Sequence, residues 1–205
     1  MTETMKDTVL LFDMGGVLID YPGAGRLLKW MPEGTSEEEL NRRWHGSRAI
    51  RLFESGKCDA GTFADAMISE LSFAVGRDAF LEEFRLIPGG FLPNATEILG
   101  RLRGFRTACF SNTNELQWGR LESEHGLEAH FAKCFLSYRI GFTKPDREAF
   151  LYVIDKLGVR PEHIYFFDDT DINVNMAKEC GMNACKVRGT AELESRLKEL
   201  FPEFS

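Results

Sequence analysis

Short apolar runs recur along the chain, and each is followed by a loop and then by a helical pattern. Residues 8–12 form the first run, 106–110 the second, 133–136 a weaker third and 164–167 the fourth, and 184–187 reads as a fifth. Their length and their bounding turn residues suit buried strands. Between the later runs the period changes. In 146–157, Ala149, Phe150, Val153, Ile154 and Leu157 fall on one face, and in 191–201 Leu193, Leu197, Leu200 and Phe201 do the same. That is the spacing of an amphipathic helix. Strands alternating with helices predict an α/β fold, a parallel sheet covered on both faces.

Residues 21 to 88 break this rhythm. No run there reads as a strand, and several helices are predicted instead. One follows the capping-box signal that begins at Ser36 and ends at Glu39. Another starts near Asp59 and carries Phe63, Ala66, Met67 and Leu71 on one stripe; a third carries Phe80, Leu81 and Phe84. The Pro88, Gly89, Gly90 break ends the segment. The expected division is an α/β core made of 1–19 and 89–205, interrupted after its first strand by a helical domain at 20–88. Trp30, Trp44 and Phe53 lie in that insertion, where most aromatics are expected to pack helices together; one or two, with Arg48, are candidates to face a site.

Composition narrows the classes. The 205 residues suit a globular chain, with 43% apolar and 28% charged residues. No apolar run nears the roughly 18 residues of a membrane helix, and residues 1–7 have neither signal-peptide nor transit-peptide character. No membrane partner is expected. The net charge of −7 argues against a nucleic-acid partner, which needs a basic face, but allows a small phosphorylated ligand. The five cysteines, Cys58, Cys109, Cys134, Cys180 and Cys185, read as free thiols, so a reducing, cytoplasmic compartment is expected. His45, His125, His130 and His163 show no ligand-like spacing and read as surface or core residues. A monomer or a homodimer is expected.

Ligands of open α/β sheets bind beyond the carboxyl ends of the strands. After the first run stands Asp13, followed by Met14, Gly15 and Gly16. After the second come Ser111 and Asn112, after the third Lys144 and Pro145, and after the fourth Asp168, Asp169 and Asn173. Each fragment alone has a plain structural explanation as a turn, a helix cap or a solvated lysine. Together they place a carboxylate, a hydroxyl, an ammonium and an acidic pair on one sheet edge. That set suits phosphoryl transfer: a carboxylate nucleophile, a cation held by carboxylates, and donors for the phosphate oxygens.

In this order the motifs resemble those of the haloacid dehalogenase-like superfamily. Its first motif, Asp-x-Asp-Gly-Val-Leu, corresponds to residues 13–18; the Ser or Thr ending its second strand to Ser111; its Lys-Pro pair to Lys144 and Pro145; and its acidic motif to Asp168, Asp169 and Asn173. The match spans nearly the whole chain and is most similar to the subgroup reading Asp-x-Gly-Gly-Val, which includes sugar-phosphate phosphatases. The resemblance implies a Rossmann-like core with a helical cap at 20–88, an aspartyl-phosphate on Asp13, and Mg²⁺ held by Asp13, the Gly15 carbonyl and Asp169. It implies phosphate contacts from Ser111, Asn112 and Lys144, with Lys144 also catalytic. Asp168 and Asn173 would support the site from behind the metal ligands.

One departure matters. The second Asp of the first motif, the usual general acid, is Gly15 here. General acid–base assistance is worth roughly 10²–10⁴-fold in rate, so either a slower phosphatase or another group in that role is expected. Two alternatives follow. Haloacid dehalogenases also lack that Asp and attack carbon without a metal, but do not keep the Asp168–Asp169 pair. A non-catalytic binding protein on this fold would have no chemical need for Asp13, Ser111, Lys144 and Asp169 together.

Overall fold

The computed structural model describes residues 7–102 and 104–204; the expectation for residues 1–6 lies outside them. Five strands form one parallel sheet: β1 (Val9–Phe12), β2 (Arg106–Ser111), β3 (Lys133–Leu136), β4 (Ile164–Asp168) and β5 (Asn183–Lys186). Their order is β3-β2-β1-β4-β5. The chain moves outward from β1 to β3, crosses back, and continues from β4 to β5. The strand order therefore reverses between β1 and β4, the place where such sheets open a ligand crevice.

The apolar runs become strands because both sheet faces are covered. In β1, Leu10 and Phe12 enter one hydrophobic cluster and Val9 and Leu11 the other. On the first face lie α5 (Ala95–Arg101), α6 (Glu115–His125) and α10 (Gly189–Leu200), which contribute Ile98, Trp118, Leu121, Leu193 and Leu197. On the second lie α8 (Arg147–Leu157) and α9 (Asp171–Glu179), with Phe150, Val153, Val174 and Ala177. The fifth strand starts and ends one residue earlier than its apolar run. Its ladder runs from Asn183 opposite Tyr165 to Lys186 opposite Asp168.

Between β1 and α5 the described chain forms a 3₁₀ segment (Gly23–Trp30) and four helices: α1 (Glu37–Gly46), α2 (Arg48–Glu54), α3 (Ala60–Leu71) and α4 (Arg77–Arg85). The capping signals are realised. Ser36 Oγ accepts from the Glu39 N–H at 3.1 Å, and Asp59 Oδ1 from the Thr62 N–H at 2.9 Å. Ser47 breaks the chain between α1 and α2; its extended backbone ends one helix, and its hydroxyl caps the next through the Ala49 N–H at 3.1 Å. These helices enclose a cluster of their own, centred on Phe63. Its ring stacks on Phe53 at 4.4 Å between centroids and lies 4.8 Å from that of Phe84. Trp30 lies edge-on to Phe73, within the same cluster. Among the described residues no helix is long and apolar enough to cross a membrane.

The insertion is fastened to the core along α6. Gln117 donates to the Phe84 carbonyl at 3.0 Å, and Arg120 to those of Arg85, at 3.0 Å, and Pro88. On the opposite side Arg51 of α2 pairs with Asp146 at 3.1 Å.

Phe63 is fully buried at the centre of its cluster. Phe63→Ala is expected to destabilise the protein by about 3–5 kcal/mol, measured by urea unfolding followed through circular dichroism.

Candidate active site

β1 ends by placing Asp13 at the sheet edge, its N–H donating to the Phe167 carbonyl of β4 at 2.8 Å. The carboxylate is nearly enclosed, 9% exposed. Lys144 reaches it from the loop that follows α7 (Ser137–Ile140). The ammonium lies 2.8 Å from Asp13 Oδ1 and 2.7 Å from Asp168 Oδ2. Burial works to lower the Lys144 pKa, and the two carboxylates overcome it and hold the group above its ordinary range. Burial pushes the Asp13 carboxyl up to about 7 against the pull of Lys144.

Two loops hold that lysine in place. The Lys144 N–H donates to Asn112 Oδ1 and Asn112 Nδ2 donates to the Lys144 carbonyl, both at 2.8 Å. Beside them the Ser137 hydroxyl accepts from the Thr113 N–H and donates to its carbonyl, each at 2.9 Å. Asn112 therefore grips the lysine backbone through both ends of its amide. The helix that follows is capped not by Ser111 or Asn112 but by Asn114, whose Oδ1 accepts from the Gln117 N–H at 3.1 Å. The Ser111 hydroxyl has only a long contact, 3.5 Å, to the Asn112 carbonyl.

The two acidic neighbours after β4 differ. Asp168 is fully buried. Besides Lys144 it accepts from the Thr170 N–H at 2.9 Å, the Thr170 hydroxyl at 2.7 Å, and the Asn173 amide at 3.0 Å to each oxygen. Burial alone would raise its pKa; Lys144 and the Thr170 donors hold it below the usual range. Asp169 receives no hydrogen bond from another described residue, and burial with the neighbouring Asp168 raises its pKa. Carboxylate oxygens of Asp13, Asp168 and Asp169 all lie within 4.8 Å of one another. Three carboxylates against one ammonium leave negative charge where a cation could sit.

The glycines after Asp13 allow this crowding. Gly16 has φ +72°, and a Cβ there would stand 2.6 Å from Asp169 Oδ2. A Cβ on Gly15 would meet Tyr21 at 3.4 Å, so the tyrosine ring covers the side of the loop on which a longer side chain would project.

Asp13, Gly15, Ser111, Asn112, Lys144, Asp169 and Asn173 line one cavity of about 400 Å³, a size that suits a small ligand. Asp168 lies behind them, out of reach of the cavity. The helical insertion closes the other side with Trp44, His45, Ile50, Arg51 and Glu54, and Tyr21 joins from the loop after β1. Arg48, a candidate from sequence, is exposed and lines a separate cleft with Lys57 and Asp146; Arg51, less than one helical turn further on, reaches the cavity. Tyr21 and Glu54 were not foreseen. No pattern in the sequence marks them, since their place depends on how the insertion sits over the sheet. Burial pushes the Glu54 carboxyl up to about 7, with Lys144 pulling the other way.

Known proteins are similar to this chain in sequence and in fold. Residues 8–181 match the family of haloacid dehalogenase-like hydrolases. The chain is 27% identical to the D-ribitol-5-phosphate phosphatase of Bacteroides thetaiotaomicron over 92% of its own length and 95% of that protein's. It is 32% identical to (S)-2-haloacid dehalogenase 1 of Pseudomonas sp., covering 86% and 82% of the two chains. In three dimensions it is similar to a HAD family enzyme of Bacteroides thetaiotaomicron solved in complex with magnesium and inorganic phosphate, with a TM-score of 0.73 at 22% identity, covering 88% of this chain and 94% of that one. With its parallel sheet and its family match, the chain belongs to the haloacid dehalogenase-like hydrolases and is a hydrolase.

Proposed function

We propose that this hydrolase is a magnesium-dependent phosphatase of a small phosphorylated metabolite, a sugar or polyol phosphate, working through an aspartyl-phosphate on Asp13. The observation that carries the reading is the contrast between the two acidic neighbours. Asp168 spends its oxygens on Lys144, Thr170 and Asn173, while Asp169 turns a free carboxylate into the cavity beside Asp13.

The donor set fits Mg²⁺, which takes hard oxygen ligands. Asp13, Asp169 and the carbonyl of Gly15 would hold it, and that carbonyl accepts no hydrogen bond among the described residues. When bound, the ion offsets repulsion between an anionic nucleophile and an anionic phosphate. The chain's own residues do the rest. Asp13 supplies the attacking oxygen from a strand end fixed by its bond to β4. Lys144 faces the same oxygen and opposes charge on the transferring group. Ser111, with its hydroxyl almost unengaged, donates to a phosphate oxygen. Asn112 acts chiefly by fixing Lys144. Residues 20–88 would serve as the cap that closes the cavity and selects the substrate. The similarity to a D-ribitol-5-phosphate phosphatase over most of both chains supports a polyol or sugar phosphate.

The similarity to a haloacid dehalogenase raises the second reading, attack on carbon. That chemistry places no dianion beside Asp13 and leaves the free carboxylate of Asp169 without work, so the phosphatase reading is preferred.

Phosphate release from a panel of sugar and polyol phosphates, D-ribitol 5-phosphate among them, should require Mg²⁺ and stop on chelation. Asp13→Asn should lower it by at least about 10³-fold, the scale of losing a nucleophile. Halide release from a 2-haloacid without metal, or phosphate release surviving in Asp13→Asn, would overturn the reading.

Asn112→Ala leaves the N–H and carbonyl of Lys144 without their partners. It should cost about 1–3 kcal/mol of stability and lower kcat more than it raises KM, read from steady-state kinetics beside a thermal melt.

A further inference from the structure

The loop after β1 offers no acid at Gly15, and Tyr21 covers the side on which one would project. A leaving alkoxide still needs a proton. Asp13 and Asp169 are already taken, as nucleophile and cation ligands, in the reading above, and most other ionisable groups of the cavity are poorly suited to give it. Lys144 is held between two carboxylates. Arg51 is paired with Asp146, and a guanidinium does not release its proton near neutral pH. His45, on α1, is exposed, with its Nδ1 on the Asn41 carbonyl at 2.7 Å. The Tyr21 phenol is pushed upward by burial and by the facing Glu54.

Glu54 is different. It lines the same cavity as Asp13 and Gly15, is half-buried, and has no hydrogen-bond or ion-pair partner among the described residues. It is also rigidly carried. Phe53 beside it is buried in the aromatic cluster, and Ser55 after it bonds back to the Arg51 carbonyl at 2.8 Å. It is the last residue of α2, the helix end at which a negative charge is disfavoured. Burial acts in the same direction and brings the carboxyl up to about 7, near the value an acid and base at neutral pH needs. The other charged and titratable groups lining its cavity are Tyr21 from the β1 loop, Asp13, Lys144 and Asp169 from the core, His45 from α1, and Arg51 on its own helix.

We propose that Glu54, supplied by the helical insertion, is the proton donor and acceptor that replaces the acid missing at position 15. This rests on the phosphatase reading above. In the first step an Asp13 oxygen bonds to phosphorus, the bond from phosphorus to the leaving oxygen breaks, and the Glu54 carboxylic acid gives its proton to that oxygen, releasing an alcohol. In the second, a water oxygen bonds to phosphorus while Glu54 takes its proton. The bond from phosphorus to Asp13 then breaks, releasing phosphate and restoring both carboxyl groups.

The test uses Glu54→Gln, which keeps the shape and removes the proton, in the full protein with Mg²⁺. First-turnover rates are compared on D-ribitol 5-phosphate, or on the fastest alkyl phosphate of the panel, and on 4-nitrophenyl phosphate, whose leaving group departs without a proton. The alkyl rate should fall by about 10²–10⁴-fold and the aryl first turnover by less than about tenfold. A burst of nitrophenol should then precede slow turnover, because the water step has lost its base. In the wild-type protein the alkyl rate should decline as pH rises above about 7, where Glu54 loses its proton, and this limb should flatten in the variant. Glu54→Asp, with an acid of shorter reach, should be intermediate and gives the reading should the amide variant fold poorly. Equal losses on both substrates, no loss on either, or an unchanged pH limb would overturn the assignment. If Asp13→Asn is inactive while Glu54→Gln is indifferent to the leaving group, only this inference falls; if Asp13→Asn stays active, the aspartyl-phosphate reading fails first.

Discussion

Desolvating an ammonium inside a protein costs several kcal/mol unless charged and hydrogen-bonding partners surround it. The Lys144 side chain is almost wholly enclosed, and its surroundings are the carboxylates of Asp13 and Asp168 on one side and the rings of Phe110 and Phe166 on the other. Removing Lys144 would leave two buried carboxylates without their shared cation. The triad therefore constrains the loops after β1, β3 and β4 together: none of them can move without leaving a buried charge unpaired. The sheet makes the constraint attainable. β1 lies between β2 and β4 in register, so Asp13 and Asp168 emerge side by side where the strand order reverses.

The same constraint divides labour between the neighbours Asp168 and Asp169. Two like charges in one small space raise each other's pKa unless something neutralises one of them. Asp168 is neutralised by Lys144 and tied by Thr170 and Asn173, so it acts as part of the framework. Asp169 keeps its oxygens free of hydrogen bonds from other described residues and leans over Gly16 at a distance only glycine permits. The site is pre-built with an electrostatic deficit on the cavity side.

Much of this was legible in the sequence because it depends on strand ends. A run of buried residues fixes where a strand stops, and in a parallel sheet every such end lies on one edge. Asp13, Ser111, Lys144, Asp168 and Asp169 could thus be grouped from order alone. What stayed hidden depends on packing between elements distant in sequence. The grip of Asn112 on Lys144 spans 32 residues and follows from how two loops meet. Arg48 and Arg51 look alike in the sequence, and only the sharp break at Ser47 decides which face of α2 meets the cavity. Tyr21 and Glu54 carry no motif at all.

That last pair shows how a proton-transfer group can change address without the framework changing. An acid at position 15 would stand on the same short loop as Asp13, so its geometry would be fixed by the core. Here the ring of Tyr21 takes that side of the loop, and the free carboxyl on the insertion side of the cavity belongs to α2. A group on the insertion stays in place only if the insertion itself does. The bonds from Gln117 and Arg120 to the end of α4, and the pair between Arg51 and Asp146, hold α2 over the sheet from both sides. In the proposed mechanism, moving the acid from the core to the insertion ties proton delivery to the element that closes the cavity over Asp13.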